Sequence, residues 1–419
     1  MFLFLFPAIA SKMSTLQLED LPNELILKVL GYLKIKELIH CGQLSKRIRE
    51  ISHNETLWQA MNLYLEPWKD CSENKVPADF LHMVISNGCK YLSLNREQIT
   101  GVGPTQGGLK LNEESSLIYL KLVTIIQASI IPDPNPDPNL PINYLGGDVH
   151  FSDRLSEELL QKCHSLQKLS VSGYVSPDMA FHIGYQNGKT LRVLDLRWST
   201  FKIKGTQKTV EREIEKELIS IQHIVKNCLN LKEVFFPGTA GDNLSEIALD
   251  FLVNNVSPTV EILSFNYMKL ISDKHVKILG SRCKNLKTLT LAGTSITNES
   301  INIIIETMNS TLERLDVAFA YNFDALKLLE LKTMPKLQTL IGSGLAPVKE
   351  QLKEYLPNLV IFEFNDVHGH CEFTHSSAEN LSESDGIWEI RAKQLELFKK
   401  SAINVPTKKF TFLKKNKKK

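Results

Sequence analysis

The side chains most able to do chemistry in this 419-residue chain are its seven cysteines and a histidine-rich stretch near the carboxyl terminus. His368, His370, Cys371 and His375 lie close together in that stretch. Imidazole and thiolate groups are zinc ligands, so the stretch is a candidate metal site. Because no second cluster with regular spacing accompanies it, we predict a polar loop there, with no metal and no cofactor.

Three other cysteines recur at one position of a repeated pattern. Cys163, Cys228 and Cys283 each stand six residues before a recurring apolar residue. They belong to different repeats, and this separation argues against a shared metal ion. We predict small, buried and unreactive core thiols. The odd total and wide spread of the cysteines favour a reducing compartment over a disulfide framework.

No recognisable catalytic motif accompanies these groups. Gly101-Val102-Gly103 is followed by Pro104, rather than by a helix that holds a phosphate. No nucleophile, base and orienting acid stand in a known arrangement. We therefore predict no catalytic residue and no enzymatic activity.

The charge is unevenly distributed along the chain. The 49 basic and 47 acidic residues give a net charge of +2, but residues 408–419 hold seven lysines and no acid. The remaining chain is slightly acidic, which argues against a nucleic-acid-binding body. The lysine-rich end is either a nuclear-import or anionic-surface signal or a solvated tail. The apolar start, residues 1–15, is too short to span a membrane and is predicted to be disordered or targeting-like.

One short string recurs ten times from about residue 89 onward. It consists of an apolar residue, two variable residues, an apolar anchor, one variable residue and a third apolar residue, as in LKTLTL at 286–291. Seven of the nine spacings between successive anchors lie between 22 and 29 residues, near the period of leucine-rich repeats. The two longer spacings predict insertions at 129–154 and 199–220. The ten anchors are Leu92, Leu120, Leu169, Leu194, Val234, Leu263, Leu289, Leu315, Leu340 and Phe362.

Each string predicts a short strand, because alternate residues are apolar and alternate side chains of a strand point to opposite faces. The residues that precede a strand, for example 272–283, are suited to a helix. One such unit cannot bury its own apolar face, so neighbouring units must stack. The predicted fold class is α/β: a curved solenoid with parallel strands on the concave face and helices on the convex face.

Residues 18–64 have a different character, typical of three short amphipathic helices. An apolar stripe is formed by Leu21, Leu25, Ile26, Val29, Leu30 and Leu33, and Pro22 suits a first helical turn. So short a unit buries little core by itself, and we expect it to bind a partner through its apolar face.

This segment resembles an F-box in its Leu-Pro-x-Glu-Leu opening at 21–25, its Leu30-x-x-Leu33 pair, its Leu44-Ser45-Lys46-Arg47 turn and its terminal Leu57-Trp58. Ile48 stands where many family members have Trp. The repeats resemble cysteine-containing leucine-rich repeats. Together they resemble F-box/leucine-rich-repeat proteins, closest in organisation to the S-phase kinase-associated receptors. The predicted parts are the F-box at 16–64, a linker at 65–80, the solenoid at 81–366 and a tail at 367–419.

The resemblance implies a non-catalytic receptor subunit of a cullin-RING ubiquitin ligase, working in the cytoplasm, the nucleus or both. The F-box would bind the small helical adaptor and, through it, cullin and RING protein. The concave face would bind a protein substrate, phosphorylated or not, for ubiquitination and proteasomal degradation. The implied adaptor contacts are Leu21, Pro22, Ile26, Val29, Leu30, Leu33, Leu44, Ile48 and Trp58. The predicted substrate contacts are Asp195, Arg197, Phe235, Asn266, Thr290, Asp316 and, in the tail, Trp388.

Three alternatives remain open at this stage. The F-box and solenoid would equally suit a ligase-independent scaffold that organises a protein complex. A secreted repeat receptor requires the amino-terminal run to be a working signal, against which the F-box pattern argues. The apolar tail residues around Trp388 suit either a segment lying on the concave face or a cap on the last repeat.

Overall fold

A computed structural model describes residues 18–33, 35–58, 60–62, 78–95, 117–123, 154–201, 210–237, 244–320 and 322–364. The helices are α1 (Asn23–Leu30), α2 (Ile35–Cys41), α3 (Lys46–Ser52), α4 (Glu55–Trp58), α5 (Ala78–Ser86), α6 (Arg154–Lys162), α7 (Pro177–Asn187), α8 (Val210–Asn227), α9 (Glu246–Asn255), α10 (Asp273–Arg282), α11 (Asn298–Met308) and α12 (Lys349–Tyr355). Short 3₁₀ helices occupy Leu18–Asp20 and Ala325–Thr333.

The strands are β1 (Ala60–Asn62), β2 (Tyr91–Asn95), β3 (Tyr119–Val123), β4 (Lys168–Tyr174), β5 (Val193–Thr200), β6 (Glu233–Phe235), β7 (Ile262–Ser264), β8 (Thr288–Thr290), β9 (Arg314–Asp316), β10 (Thr339–Ser343) and β11 (Val360–Phe364). They form one sheet in sequential order, and all neighbouring pairs are parallel. Sequential order means that each repeat packs on its immediate neighbours. The predicted α/β leucine-rich-repeat solenoid is therefore confirmed.

The sheet has one more strand than the ten strings predict. Strand β1 follows the amino-terminal helices directly and pairs with β2 through Ala60 and Tyr91. Helix α5 begins at Ala78, inside the predicted 65–80 linker. Within its described residues, the amino-terminal segment has four α-helices, α1–α4, where the sequence predicted three, and it also supplies the first strand of the solenoid sheet.

Nine of the ten anchors are fully buried, as the alternation requires. The tenth assignment is wrong by one residue. Ile361 pairs with Leu340 in the anchor register, and Phe362 pairs with Ile341 on the opposite face. A shift of one residue in a strand exchanges its two faces, so Phe362 packs with Ala292 and Ala318 instead of entering the main core.

The solenoid helices lie on the side of the sheet that the anchors face, and several of them begin at polar caps. Ser176 Oγ accepts a hydrogen bond from the Met179 amide at the start of α7, and Thr297 Oγ1 accepts one from Glu299 at the start of α11. Such caps satisfy amides that have no partner within the helix. The Asp273 carboxylate, in the first turn of α10, also accepts hydrogen bonds from Thr297, which joins neighbouring repeats.

Helix α8 corresponds to the predicted 199–220 insertion and extends beyond it. Its Ile221 and Ile224 side chains are fully buried, so the helix belongs to the core rather than being merely solvated. It approaches α7 closely because α7 carries glycine at the contact. A Cβ atom on Gly184 would lie 2.1 Å from the His223 carbonyl oxygen. Of the other predicted insertion, 129–154, only residue 154 is described.

The three recurrent cysteines are buried, as predicted. Burial raises the pKa of Cys228 to about 12 and that of Cys283 to about 11, so neither thiol is a ready nucleophile. Within the described ranges, no group of three metal-ligating side chains is present. No helix in those ranges is long and apolar enough to cross a membrane. The His368–His375 cluster lies outside the described residues.

Candidate functional site

Four of the nine predicted adaptor contacts form the core of the amino-terminal helical segment. Ile26 and Leu30 of α1, Ile48 of α3 and Trp58 of α4 are all at most 1% exposed. The Trp58 indole Nε1 donates a hydrogen bond to the Ser52 carbonyl oxygen over 2.6 Å. In this conformation these four side chains hold the helices together rather than offering a contact surface. Their predicted contact with an adaptor stays a prediction.

The same segment exposes a row of large apolar side chains on its outside. Leu25, Val29 and Tyr32 follow one another at helical spacing on and just after α1, and Tyr32 is 81% exposed. Leu44, before α3, is 69% exposed. We call these four residues, together with exposed Pro22, the apolar docking surface. Several large exposed apolar side chains on one short segment are typical of a protein-binding site.

The remaining predicted contacts, Leu21 and Leu33, are half-buried beside this surface. Leu25 and Tyr32 belong to the surface but were not predicted as adaptor contacts. The signal that identifies them is the spacing of residues 25, 29 and 32, which places three apolar side chains on one helical face, beside the face that carries the buried Ile26 and Leu30.

Arg47 joins the residues beside Pro22, at the start of α1, to the start of α3, which follows Leu44. Its guanidinium Nη2 donates hydrogen bonds to the Leu21 carbonyl oxygen over 2.8 Å and to Asn23 Oδ1 over 2.7 Å. Its Nε donates to the same Asn23 oxygen over 3.1 Å. Because Arg47 lies in the first turn of α3, these bonds hold the start of α1 beside the start of α3.

A second candidate surface runs across the strands on the side away from the helices, which is the side predicted to be concave. We call this side the outer sheet face. In-register pairing places one residue of each strand from β4 to β11 in a single row. The row contains Ser170, Asp195, Phe235, Ser264, Thr290, Asp316, Ile341 and Phe362. Four predicted substrate contacts, Asp195, Phe235, Thr290 and Asp316, therefore share this row.

Asp195, Arg197 and Phe235 form a single cluster. The Arg197 guanidinium donates from Nε to Asp195 Oδ1 over 3.0 Å and from Nη2 to Asp195 Oδ2 over 2.8 Å. Its central carbon lies 4.6 Å from the centroid of the Phe235 ring. The carboxylate is almost fully buried, whereas the guanidinium is partly exposed. The cluster thus presents a guanidinium already held in place by a carboxylate and a ring.

The other predicted substrate contacts have different roles in the sheet. Asn266 Oδ1 accepts a hydrogen bond from the Ala292 amide over 3.2 Å, so this side chain braces the next repeat. Within the described structure, Thr290 Oγ1 is buried without a hydrogen-bond partner. Desolvation by burial raises the pKa of Asp316 to about 6. Trp388 lies outside the described residues. Substrate contact by all of these residues remains a prediction.

Comparison with known proteins identifies the amino-terminal segment. Residues 18–64 match the F-box-like family model, which confirms the resemblance predicted from the sequence. No curated protein matches the chain significantly.

Two solved structures are similar to parts of this chain. The leucine-rich repeat-containing protein LegL7 from Legionella pneumophila is 15% identical, with a TM-score of 0.37, and the match covers 69% of this chain and 78% of LegL7. The complex of Rad7 and Elc1 in yeast contains a chain 14% identical to this one, with a TM-score of 0.34, and the match covers 85% of this chain and 96% of that one.

Proposed function

We propose that this chain, which joins an F-box-like segment to a leucine-rich-repeat solenoid, is the substrate receptor of a cullin-RING ubiquitin ligase. The F-box-like segment binds the helical adaptor of the ligase, and the outer sheet face binds a protein substrate. The chain itself makes or breaks no covalent bond. It increases the rate of ubiquitin transfer by holding the substrate near a separate conjugating enzyme.

The observation that carries this proposal is the apolar docking surface on a segment that matches the F-box-like family. Leu25, Val29, Tyr32 and Leu44 are exposed next to a complete small core. Keeping them in water is unfavourable, and covering them with an apolar partner surface is favourable by about 25 cal/mol per Å². Tyr is among the residues that dominate binding energies, so Tyr32 is expected to be a principal contact.

Arg197 supports the assignment of the outer sheet face to substrate. A guanidinium has five N–H groups, and Asp195 accepts hydrogen bonds from two of its nitrogens. The exposed edge is positioned to donate to a carboxylate or carbonyl oxygen of a bound protein. Because Asp195 and Phe235 already fix the side chain, little rotamer entropy is lost on binding.

Adaptor binding is the step that tests the proposal most directly. The double variant Leu21→Ala/Pro22→Ala should lose capture of the purified adaptor. Pro22 belongs to the docking surface, and Leu21 lies beside it, directly before α1. The matched control is Leu229→Ala, which truncates an exposed leucine of the solenoid and should bind as wild type. Undiminished adaptor binding by the folded double variant would contradict the proposed interface.

A second measurement separates the ligase receptor from the ligase-independent scaffold. The tagged full chain is purified from cells and examined for both adaptor and cullin. Recovery of both, with loss of both in the double variant, supports a ligase receptor. Recovery of adaptor without cullin would favour the scaffold.

A further inference from the structure

Four successive repeats turn at the same position through a left-handed backbone conformation. The turning residue stands four positions after the anchor, and its φ angle is 63° at Tyr267, 66° at Gly293, 57° at Phe319 and 67° at Gly344. Glycine adopts this conformation without a steric penalty, whereas an ordinary side chain costs roughly 1 kcal/mol or more there. Two of the four repeats therefore accept backbone strain in order to carry an aromatic ring.

The surrounding backbone holds the strained residues in place. The Tyr267 amide donates to the Ala292 carbonyl oxygen of the next repeat over 2.5 Å, and the Phe319 amide donates to Ser343 Oγ over 3.1 Å. A non-glycine residue in this region persists only where the structure over-determines it, and such residues are concentrated at functional sites. Strained aromatic residues at two equivalent turns therefore indicate a binding site.

The two aromatic rings lie side by side because the repeat between them has glycine. The ring centroids of Tyr267 and Phe319 are 6.4 Å apart, with an angle of 24° between the ring planes. A Cβ atom on Gly293 would lie 2.6 Å from Cδ1 of the Tyr267 ring. The alternation of aromatic residue, glycine and aromatic residue therefore allows the rings to stack. We call Tyr267 and Phe319 the aromatic ledge.

The aromatic ledge lies on the outer sheet face. Phe319 packs with Ala292, Ala318, Ile341 and Phe362, and Ile341 and Phe362 belong to the row of the outer sheet face. Tyr267 stacks on Phe319 and is 46% exposed. The ledge and the Arg197 cluster are therefore on the same side of the sheet.

The distance between the ledge and Arg197 sets the length of an extended peptide that reaches both. Arg197 is on β5, whereas the ledge residues follow β7 and β9, two and four strands further along the sheet. Neighbouring strands are about 4.8 Å apart, so the separation is roughly 10–19 Å. An extended chain covers that distance in about three to six residues.

We propose that the aromatic ledge binds an apolar side chain, aromatic or proline, of an extended substrate segment. An acceptor oxygen of the same segment, about three to six residues away, pairs with Arg197. This inference rests on the proposed function, because it assigns a recognition element to the surface that holds substrate. It is carried by the strained and partly exposed aromatic residues and by their shared face with Arg197.

The experiment uses the full chain without adaptor, so that its outcome does not depend on ligase assembly. A phage library of random twelve-residue peptides is selected on the immobilised protein. The most enriched peptide is labelled with fluorescein and titrated against the protein by fluorescence anisotropy. The enriched peptides are expected to share an aromatic residue or proline.

The decisive variants replace the ledge by glycine, singly as Tyr267→Gly and together as Tyr267→Gly/Phe319→Gly. Glycine removes the ring and relieves the strained φ, so these chains should remain folded in thermal unfolding. The double variant should weaken peptide binding at least about thirtyfold, the loss that defines a binding hot spot. The control Tyr185→Ala removes an exposed ring from helix α7 and should leave binding within about twofold.

Each other outcome has a defined meaning. Equal binding by wild type and the double glycine variant would overturn the ledge. Enrichment of no peptide above blank resin would also overturn it. If Arg197→Gln lost binding and the glycine variants did not, the outer sheet face would remain the substrate surface, but the ledge would have no part in binding. The adaptor titration is independent of all these results, so failure of the ledge and failure of the proposed function are distinguishable.

Discussion

Truncation of Leu44 should separate adaptor binding from folding. Leu44 is 69% exposed in the free chain, and burying a leucine side chain completely contributes about 1.5–3 kcal/mol. About one-third of that amount already stabilises the fold, so Leu44→Ala should cost only roughly 0.5–1 kcal/mol of unfolding free energy. If the adaptor covers the rest, the same change removes about 1–2 kcal/mol of binding energy, which corresponds to about five- to thirtyfold weaker affinity.

The assay is titration of purified adaptor into the full chain by isothermal calorimetry, with thermal unfolding followed by circular dichroism. The matched variant is Leu30→Ala, because Leu30 is fully buried in the same segment. That change should cost about 2–5 kcal/mol and unfold the segment, with binding lost for that reason. Full affinity of a folded Leu44→Ala chain would refute the assignment of Leu44 to the adaptor interface.

Three further predictions concern the solenoid. Cys228 and Cys283 should resist iodoacetamide at pH 8 in the native protein, because burial raises the pKa of both thiols. Both should react in guanidinium, as measured by peptide mass spectrometry. Labelling of either cysteine in the native protein would contradict this prediction. Burial raises the pKa of Asp316 from its ordinary 3.8 to about 6, so the folded chain favours the neutral carboxyl group. The stability that this neutral group contributes is complete below about pH 4 and is lost as the pH rises through about 6. Asp316→Asn should therefore raise the thermal midpoint more at pH 7.5 than at pH 4.5, and an equal change at both values would argue against the shift. Gly184→Ala should lower the free energy of unfolding by at least about 1–3 kcal/mol, measured in denaturant, because its Cβ would lie 2.1 Å from a carbonyl oxygen. The control Gly31→Ala should be nearly neutral, because no atom would lie nearer than 3.4 Å to its Cβ.

The repeated strings predicted most of the sheet because their information is local. In a short strand the apolar residues must alternate, and nine of the ten anchors are buried as that rule requires. The rule failed at β11, where residues 359–364 are nearly all apolar and either register satisfies the pattern. Pairing with β10 selects the register with Ile361 inward, which depends on a strand some 20 residues away in sequence.

At the amino terminus, the sequence pattern predicted the helices but not which of their apolar residues are exposed. The apolar stripe predicted an amphipathic helical segment, and the match to the F-box-like family confirms it. The sequence alone did not separate Ile26 and Leu30, which are buried, from Leu25, Val29 and Tyr32, which are exposed. Both groups are apolar, and only the packing of α3 and α4 on one side of α1 decides which is covered.

Sequence by itself therefore determined the modules of this protein: an F-box-like helical unit, a repeat solenoid, inert core cysteines and a lysine-rich end. These follow from periodicity and composition, which act over a few residues. Tertiary structure decided which side chains face a partner. It joined Asp195, Arg197 and Phe235 into one cluster and stacked Tyr267 on Phe319 across Gly293. The Arg197–Phe235 contact joins neighbouring repeats, and the Tyr267–Phe319 contact joins the repeats on either side of Gly293. Their geometry is set by strand pairing and by backbone turns that no local pattern encodes.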